Sequence, residues 1–398
     1  MTHPKIPITG TGWDQNLNRA LAVLEENHHF LFSAYPDADA LGTMLALALY
    51  LNQIDKQATL FLPHPVGRHL HVLKEIIRYN DIQVLTEAQA LRSLGGQVDT
   101  VVFCDTAHSR LIPCFSWFRD AFLDRKVQVI EIDHHFGNDS AAIAPDGIHL
   151  FRHANSSTEI AAQLLQAWHR NSPNLPAPFE FRNIALSLLM GLQADTFGGQ
   201  AAQVPEDYDS WNRLLATGLE LPGSGEKPLS VGNGHRFRRP EEILEDLNRL
   251  SPDQRQCVEE LKGKIIRHRG VGELNLLDST LAHLSREPIK NGNGEFFQIW
   301  NAMANVVPKV GGKIGLFYFN GTNAEGEDCV FVKLRRAFDF HRFDLRESEN
   351  LLKSSFGDHF QGGGGHAMAV SFRIHPMREP DFRARIPGLI THLQEKIE

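Results

Sequence analysis

Asp133-His134-His135 puts three metal-competent side chains in a row, directly after the apolar run Val127–Ile132. Hard divalent cations take carboxylate oxygens, and borderline ones also accept imidazole nitrogen. A strand that stops at the carboxyl edge of an open α/β sheet delivers such groups to the crevice where ligands are held. Three other segments have the same form. Phe30–Tyr35 runs into Pro36-Asp37-Ala38-Asp39, and the strongly helical stretch Ala40–Leu51 follows. Pro36 biases the residue before it away from helix, and the coming helix N-terminus favours negative charge. Thr100–Cys104 ends in Asp105-Thr106. Ile184–Leu192, apolar and helical in pattern, runs into Gln193-Ala194-Asp195-Thr196-Phe197-Gly198-Gly199. Taken singly, each aspartate also reads as a helix cap or turn residue, and the two histidines as solvated side chains. One N-cap, however, explains one of Asp37 and Asp39, not both. Together Asp37, Asp39, Asp105, His134 and Asp195 suit two divalent cations that share a bridging carboxylate.

The order and form of these segments resemble the DHH phosphoesterase superfamily. Its four N-terminal motifs match Pro36-Asp37-Ala38-Asp39-Ala40-Leu41-Gly42, Asp105-Thr106, Asp133-His134-His135 and Asp195-Thr196. A fifth match, Phe360-Gln361-Gly362-Gly363-Gly364-Gly365-His366, is similar to the glycine-rich element of the associated DHHA1 domain. The likeness covers most of the chain and is weakest over 200–300. Within the superfamily it is nearest the bacterial oligoribonuclease (nanoRNase) and pAp-phosphatase type. The resemblance implies that Asp105 bridges two metals, with Asp37 on one and Asp39, His134 and Asp195 on the other. It gives Asp133 the task of orienting His134, and turns His135 toward the phosphate. Arg335 matches an arginine that would hold a terminal phosphate; Arg336 stands where the family has serine. Backbone N–H groups of Gly363, Gly364 and Gly365 could meet an anion because no side chain blocks approach, and His366 could add a donor. A flexible turn and a solvated strand end are the plainer readings of these two segments. Two Mn²⁺ ions suit the mixed imidazole and carboxylate set; Mg²⁺ is less drawn to nitrogen.

One position departs from the pattern. The family has histidine four residues before the first motif aspartate, and here that residue is Ser33. A hydroxyl is a poorer ligand than imidazole, so the first metal site is expected to be weakened. His28, His29 and His108 are the nearby histidines that could substitute.

The 398 residues suggest two domains. A hydrophobic content of 42% supports ordinary cores, and a formal charge of −8 argues against a general nucleic-acid coat. The four cysteines, Cys104, Cys114, Cys257 and Cys329, form no CxxC pair, so neither a zinc ribbon nor a disulfide framework is indicated. No signal-like start and no membrane-length apolar run is visible, so a cytoplasmic protein is expected. Helices are expected over 13–28, 39–53, 157–170 and 180–193, with strands over 29–34, 57–62, 82–85, 99–104, 127–132 and 147–151. That alternation predicts a mostly parallel sheet between helices. The segment 221–228 reads as a loop. Strand-like pieces at 272–277, 315–320, 330–334 and 369–374, with helices at 346–356 and 379–397, predict a smaller α+β domain. The expected organisation is a DHH domain over 1–215, a linker region over 216–250 and a DHHA1-like substrate-binding domain over 251–398, with the active site in the cleft. The expected activity is hydrolysis of short RNA or DNA oligonucleotides, linear dinucleotides or pAp. A pyrophosphate or polyphosphate hydrolase and an impaired nucleotide-binding regulator are the alternatives. Homodimerisation is left open by these patterns.

Overall fold

The near-continuous apolar runs at Phe30–Phe32, Thr100–Cys104 and Val129–Ile132 are what strands covered on both faces require. In the computed structural model they are the centre of a parallel sheet. Residues 12–106, 108–135, 140–220, 237–277, 295–322 and 327–398 are described, with the backbone alone for 295–297 and 322. The chain divides into two compact units, the second beginning its long segment at Asn248.

The first unit contains α1 (Trp13–Glu26), β1 (His29–Ser33), α2 (Ala38–Gln53), β2 (Gln57–Phe61), α3 (His71–Tyr79), β3 (Gln83–Leu85) and α4 (Ala88–Leu94). It continues with β4 (Thr100–Cys104), α5 (Phe115–Ala121), β5 (Gln128–Asp133), β6 (Ile148–Phe151), α6 (Ser157–Asn171), α7 (Arg182–Thr196), α8 (Pro205–Glu220) and α9 (Pro240–Leu247). The six strands lie in the order β3-β2-β1-β4-β5-β6, and every pair is parallel. Alternate side chains feed two cores. Phe30, Phe32, Val102, Ile130 and Ile132 pack with α2, α6 and α7; Leu31, Phe61, Val101, Phe103 and Val129 pack with Leu91, Phe118 and Phe122.

The chain winds outward from β1 through β2 to β3, then returns beside β1 as β4 and winds the other way. The strand order therefore reverses between β1 and β4, and the carboxyl ends of those two strands frame a crevice. Around it, α2 is buried from Ala38 to Leu51 and lies unusually close to α7. A Cβ on Gly42 would collide with the Ser187 carbonyl oxygen.

Helix α7 extends past the expected end at 193 and closes at Thr196. Phe197 (φ 49°), Gly198 (φ 68°) and Gly199 (φ 88°) then turn the chain through left-handed conformations. Asp195 is thus in the last helical turn rather than in the turn that follows. The expected linker region over 216–250 contains the end of α8 and all of α9; the loop expected at 221–228 lies outside the described residues.

The second unit holds α10 (Pro252–Lys262), β7 (Ile266–His268), β8 (Gly270–Asn275), a helix Glu295–Gly311, β9 (Gly312–Thr322), β10 (Asp328–Arg336), a helix Ser348–Phe356, β11 (Phe360–His366), β12 (Ala369–Ile374) and a helix Glu379–Ile397. Its sheet has the order β11-β12-β10-β9-β8-β7. The β8–β9 pair is parallel and the others antiparallel. Val330, Val332, Leu334, Leu316 and Phe372 pack on Phe356, Phe382 and Leu389; Phe317 and Phe319 pack on Trp300 and Met303. The glycine run is the edge strand β11, not a turn. Cβ atoms on Gly363 (φ 151°) and Gly365 (φ 146°) would collide with the carbonyl oxygens of Ser371 and Ala369, so only glycine lets this strand seat against β12. No helix of the described residues is long and apolar enough to cross a membrane.

Candidate metal centre

The carboxyl ends of β1, β4 and β5, with the last turn of α7, bring five of the expected ligands together in the first unit. His134 follows β5 and is 2 % exposed. Its Nε2 lies 3.1 Å from Asp195 Oδ2, 3.5 Å from Asp105 Oδ1 and 3.7 Å from Asp39 Oδ2. Its Nδ1 is 3.3 Å from the Ala154 carbonyl oxygen. A carbonyl only accepts, so Nδ1 carries hydrogen and Nε2 is the ring nitrogen aimed at the carboxylates.

Asp39 is fully buried. Its Oδ2 accepts from the Ser157 N–H at 2.6 Å and its Oδ1 from the Thr158 N–H at 2.9 Å. These are donors that the first turn of α6 cannot satisfy within the helix. The Ser156 side chain takes a third, from Glu159, at 3.1 Å. A carboxylate has about four acceptor positions, so Asp39 retains capacity for a further ligand. Asp105 directly follows β4. It adopts a left-handed backbone (φ 51°), donates its N–H to the Ile132 oxygen at 2.7 Å, and accepts from Ser157 Oγ at 3.0 Å. Asp37 caps α2, its Oδ1 accepting from the Ala40 N–H at 2.9 Å.

Asp133 differs from its expected task. Its Oδ1 accepts from the His135 backbone N–H at 3.2 Å and lies 2.7 Å from His135 Nδ1. It therefore orients His135, while the Ala154 carbonyl orients His134. The reason is geometric: Asp133 is the last strand residue, and adjacent strand side chains point to opposite faces.

The electrostatics describe a site crowded with like charge. Burial, then the charges of Asp105 and Asp195, push the Asp37 carboxyl up to about 8. Asp39 is held well above its ordinary value for the same reasons. Burial would raise Asp105 too, but His135 and His134 more than offset it and hold it below the usual carboxylate range. Burial would lower the two histidines. Asp105, Asp195 and Asp39 instead hold His134 well up, and Asp133 with Asp105 carries His135 up to about 9.

Whether a cation fits can be judged from the donors. One ligand atom each of Asp39, His134 and Asp195 lies within 4.8 Å of the others, as do those of Asp105, Asp133 and His135. Ser33 adds a second sign. It is fully buried at the end of β1, and its hydroxyl has no hydrogen-bond partner. Buried hydroxyls left so cost about 1–3 kcal/mol. The donor set fits one or two divalent cations. His28 and His29 do not replace the missing imidazole. They lie at the amino end of β1, about 13 Å along the strand from Ser33, and His29 is engaged with Thr59 at 3.1 Å. His108 lies beyond β4, where its Nδ1 accepts from the Arg110 N–H at 3.1 Å.

Ser157 and Thr158 are participants that the sequence reading missed. The donors to Asp39 are backbone groups and leave no residue-type signature. Gly191 is a third: a Cβ there would meet Thr158 Cγ2 at 2.5 Å and Asp39 Oδ1 at 2.7 Å.

In the second unit, Arg335 on β10 and His366 on β11 both pair with Ala369 of β12. Directly opposed residues share a face, so the two side chains leave the same face about 10 Å apart. Gly364 pairs with Ser371 in the same ladder, and Gly363 and Gly365 alternate with it along the edge strand.

A doubly wound parallel sheet with clustered carboxylates and imidazoles at its switch point defines an α/β domain whose residues could hold a metal ion. Residues 30–192 match the DHH family, N-terminal domain. Comparison with curated proteins gave no match. Among solved structures, the chain is similar to an exopolyphosphatase-related protein from Bacteroides fragilis, at 16% identity and a TM-score of 0.66, covering 98% of this chain and 100% of that one. It is also similar to RecJ from Thermus thermophilus in complex with Mn²⁺, at 17% identity and a TM-score of 0.51. That match covers 98% of this chain and 56% of RecJ, so the chain spans just over half of RecJ's length. At these identities the likeness is one of fold.

Proposed function

We propose that the chain is a metal-dependent phosphoesterase that cleaves short oligonucleotides, linear dinucleotides or a small nucleotide such as pAp. The observation that carries this reading is the convergence of Asp39, Asp105 and Asp195 on His134 Nε2 at the switch point of the sheet. Asp37, Asp39, Asp105, His134 and Asp195 would hold the ions, and Mn²⁺ suits their mixed donors better than Mg²⁺. Bound divalent ions supply charge against phosphoryl oxygens and acidify water at neutral pH. His135, held at Nδ1 by Asp133, would face a phosphoryl oxygen. Arg335, His366 and those N–H groups of the glycine run that β11 turns away from β12 would supply anion donors on one sheet of the second unit.

The orphaned Ser33 hydroxyl favours a second reading, in which one metal position is weak and the chain is an impaired nucleotide-binding regulator. Metal analysis and a substrate panel separate the two. The purified protein is expected to carry two Mn²⁺ per chain and to hydrolyse short RNA, a linear dinucleotide or pAp faster than pyrophosphate or polyphosphate. One ion or none, with binding but no turnover, would select the regulator. Preferential release from pyrophosphate or polyphosphate would replace the nucleotide reading with phosphoanhydride hydrolysis.

A further inference from the structure

Tyr35 is 58% exposed, more than any other large hydrophobic of the described residues. It stands between β1 and α2, where the chain turns from the sheet toward the candidate metal centre. The turn is held: the Asp37 N–H donates to the Tyr35 carbonyl at 2.9 Å across Pro36, and Asp37 in turn caps α2. Two residues span at most about 7 Å, so the base of the tyrosine side chain is beside a candidate ligand. The neighbouring strand β2 ends at Phe61 on the same sheet edge. The loop after it presents His64 between Pro63 and Pro65, exposed, with its ring centroid 6.5 Å from that of Tyr35 and tilted by 47°.

Two exposed rings thus stand together, one of them two residues from the Asp37 carboxylate. Neither is needed to hold an ion, and neither is buried in a core. An inorganic phosphate chain offers an aromatic face nothing to pack against. A nucleobase has a π-face of matching size, and stacking of this kind tolerates any base.

We propose that Tyr35, with His64 beside it, is a stacking platform for a nucleobase of the substrate. The substrate class of the centre is then a nucleotide ester rather than an inorganic phosphoanhydride. This rests on the phosphoesterase reading and deepens it.

The test compares an adenine dinucleotide with its abasic counterpart, which has the same sugars and phosphates. KM and kcat are measured with Mn²⁺ for the wild type, Tyr35→Phe and Tyr35→Ala. Calorimetric binding of both ligands is measured in parallel. Tyr35→Ala is expected to weaken the adenine dinucleotide about tenfold in KM and Kd, with kcat little changed. Tyr35→Phe should stay near the wild type, and the abasic ligand should be insensitive to both variants. Equal effects on the two ligands, or no effect on either, would overturn the platform. So would a change of oligomeric state in Tyr35→Ala, seen by sedimentation, with the two ligands still affected alike. Absence of turnover on every substrate would count against the phosphoesterase reading alone, because the binding ratio still decides the role of Tyr35.

Discussion

Ser33 and Asp105 show how much of this site is decided by single side chains. Ser33 stands where the DHH motif resemblance has histidine, and it buries a hydroxyl without a partner. Ser33→Ala is expected to stabilise the metal-free protein by about 1 kcal/mol, because an unsatisfied polar group is removed; urea denaturation in chelator measures it. Ser33→His should raise Mn²⁺ affinity and increase the ions bound per chain, as read by calorimetry and metal analysis. Asp105→Asn removes a buried charge that faces Asp37 and Asp39. It also loses the pairing of that charge with His134 and His135, so metal-free stability should fall, and the rise in melting temperature expected of the wild type with Mn²⁺ should be abolished. Asp105 was legible because it follows an apolar run that reads as a strand, and Ser33 because the motif resemblance has histidine at its place. The orientation of His135 by Asp133 was not, since it depends on which way the last residue of β5 points.

At the scale of elements, the centre depends on the close approach of α2 to α7 and on the N-terminus of α6. Gly191→Ala would drive a methyl into Thr158 and the Asp39 carboxylate. Overpacking of this sort costs about 1–3 kcal/mol, and here it would also displace a candidate ligand. The expected result is a lower melting temperature together with weaker Mn²⁺ binding; lost stability with intact Mn²⁺ affinity would show that Asp39 is not a ligand. The parallel sheet was readable from strand and helix alternation. The glycine strand β11 was not, because glycine has no strand preference of its own and the segment is ordered by β12. Helix Glu295–Gly311 was also missed; it carries Pro308 in its last turn, which punctuates the pattern.

For the whole molecule, the charge crowding has a consequence for pH. Asp37 is raised to about 8 in the folded state from an ordinary 3.8. Between those values the folded chain binds more protons than the unfolded one, so stability falls as pH rises. His135, raised to about 9 from 6.5, has the same sign: its contribution is complete below 6.5 and lost as pH rises through 9. In chelator the protein should therefore be less stable at pH 8.5 than at pH 6.5. Saturating Mn²⁺ should flatten or reverse that slope, because ion binding favours the deprotonated ligands. Thermal melts at the two pH values, with and without Mn²⁺, check both signs.

The candidate ligands run from Asp37 to Asp195 along the chain, and the strands that carry them meet only when the order β1-β4-β5 is complete. No short loop contains a whole site, so no local segment can capture an ion and nucleate around it. Contacts of such long sequence separation form late in folding. An ion bound only in the finished arrangement stabilises the native state more than the transition state. Metal should therefore act as a latch on the assembled sheet, slowing unfolding much more than it hastens folding.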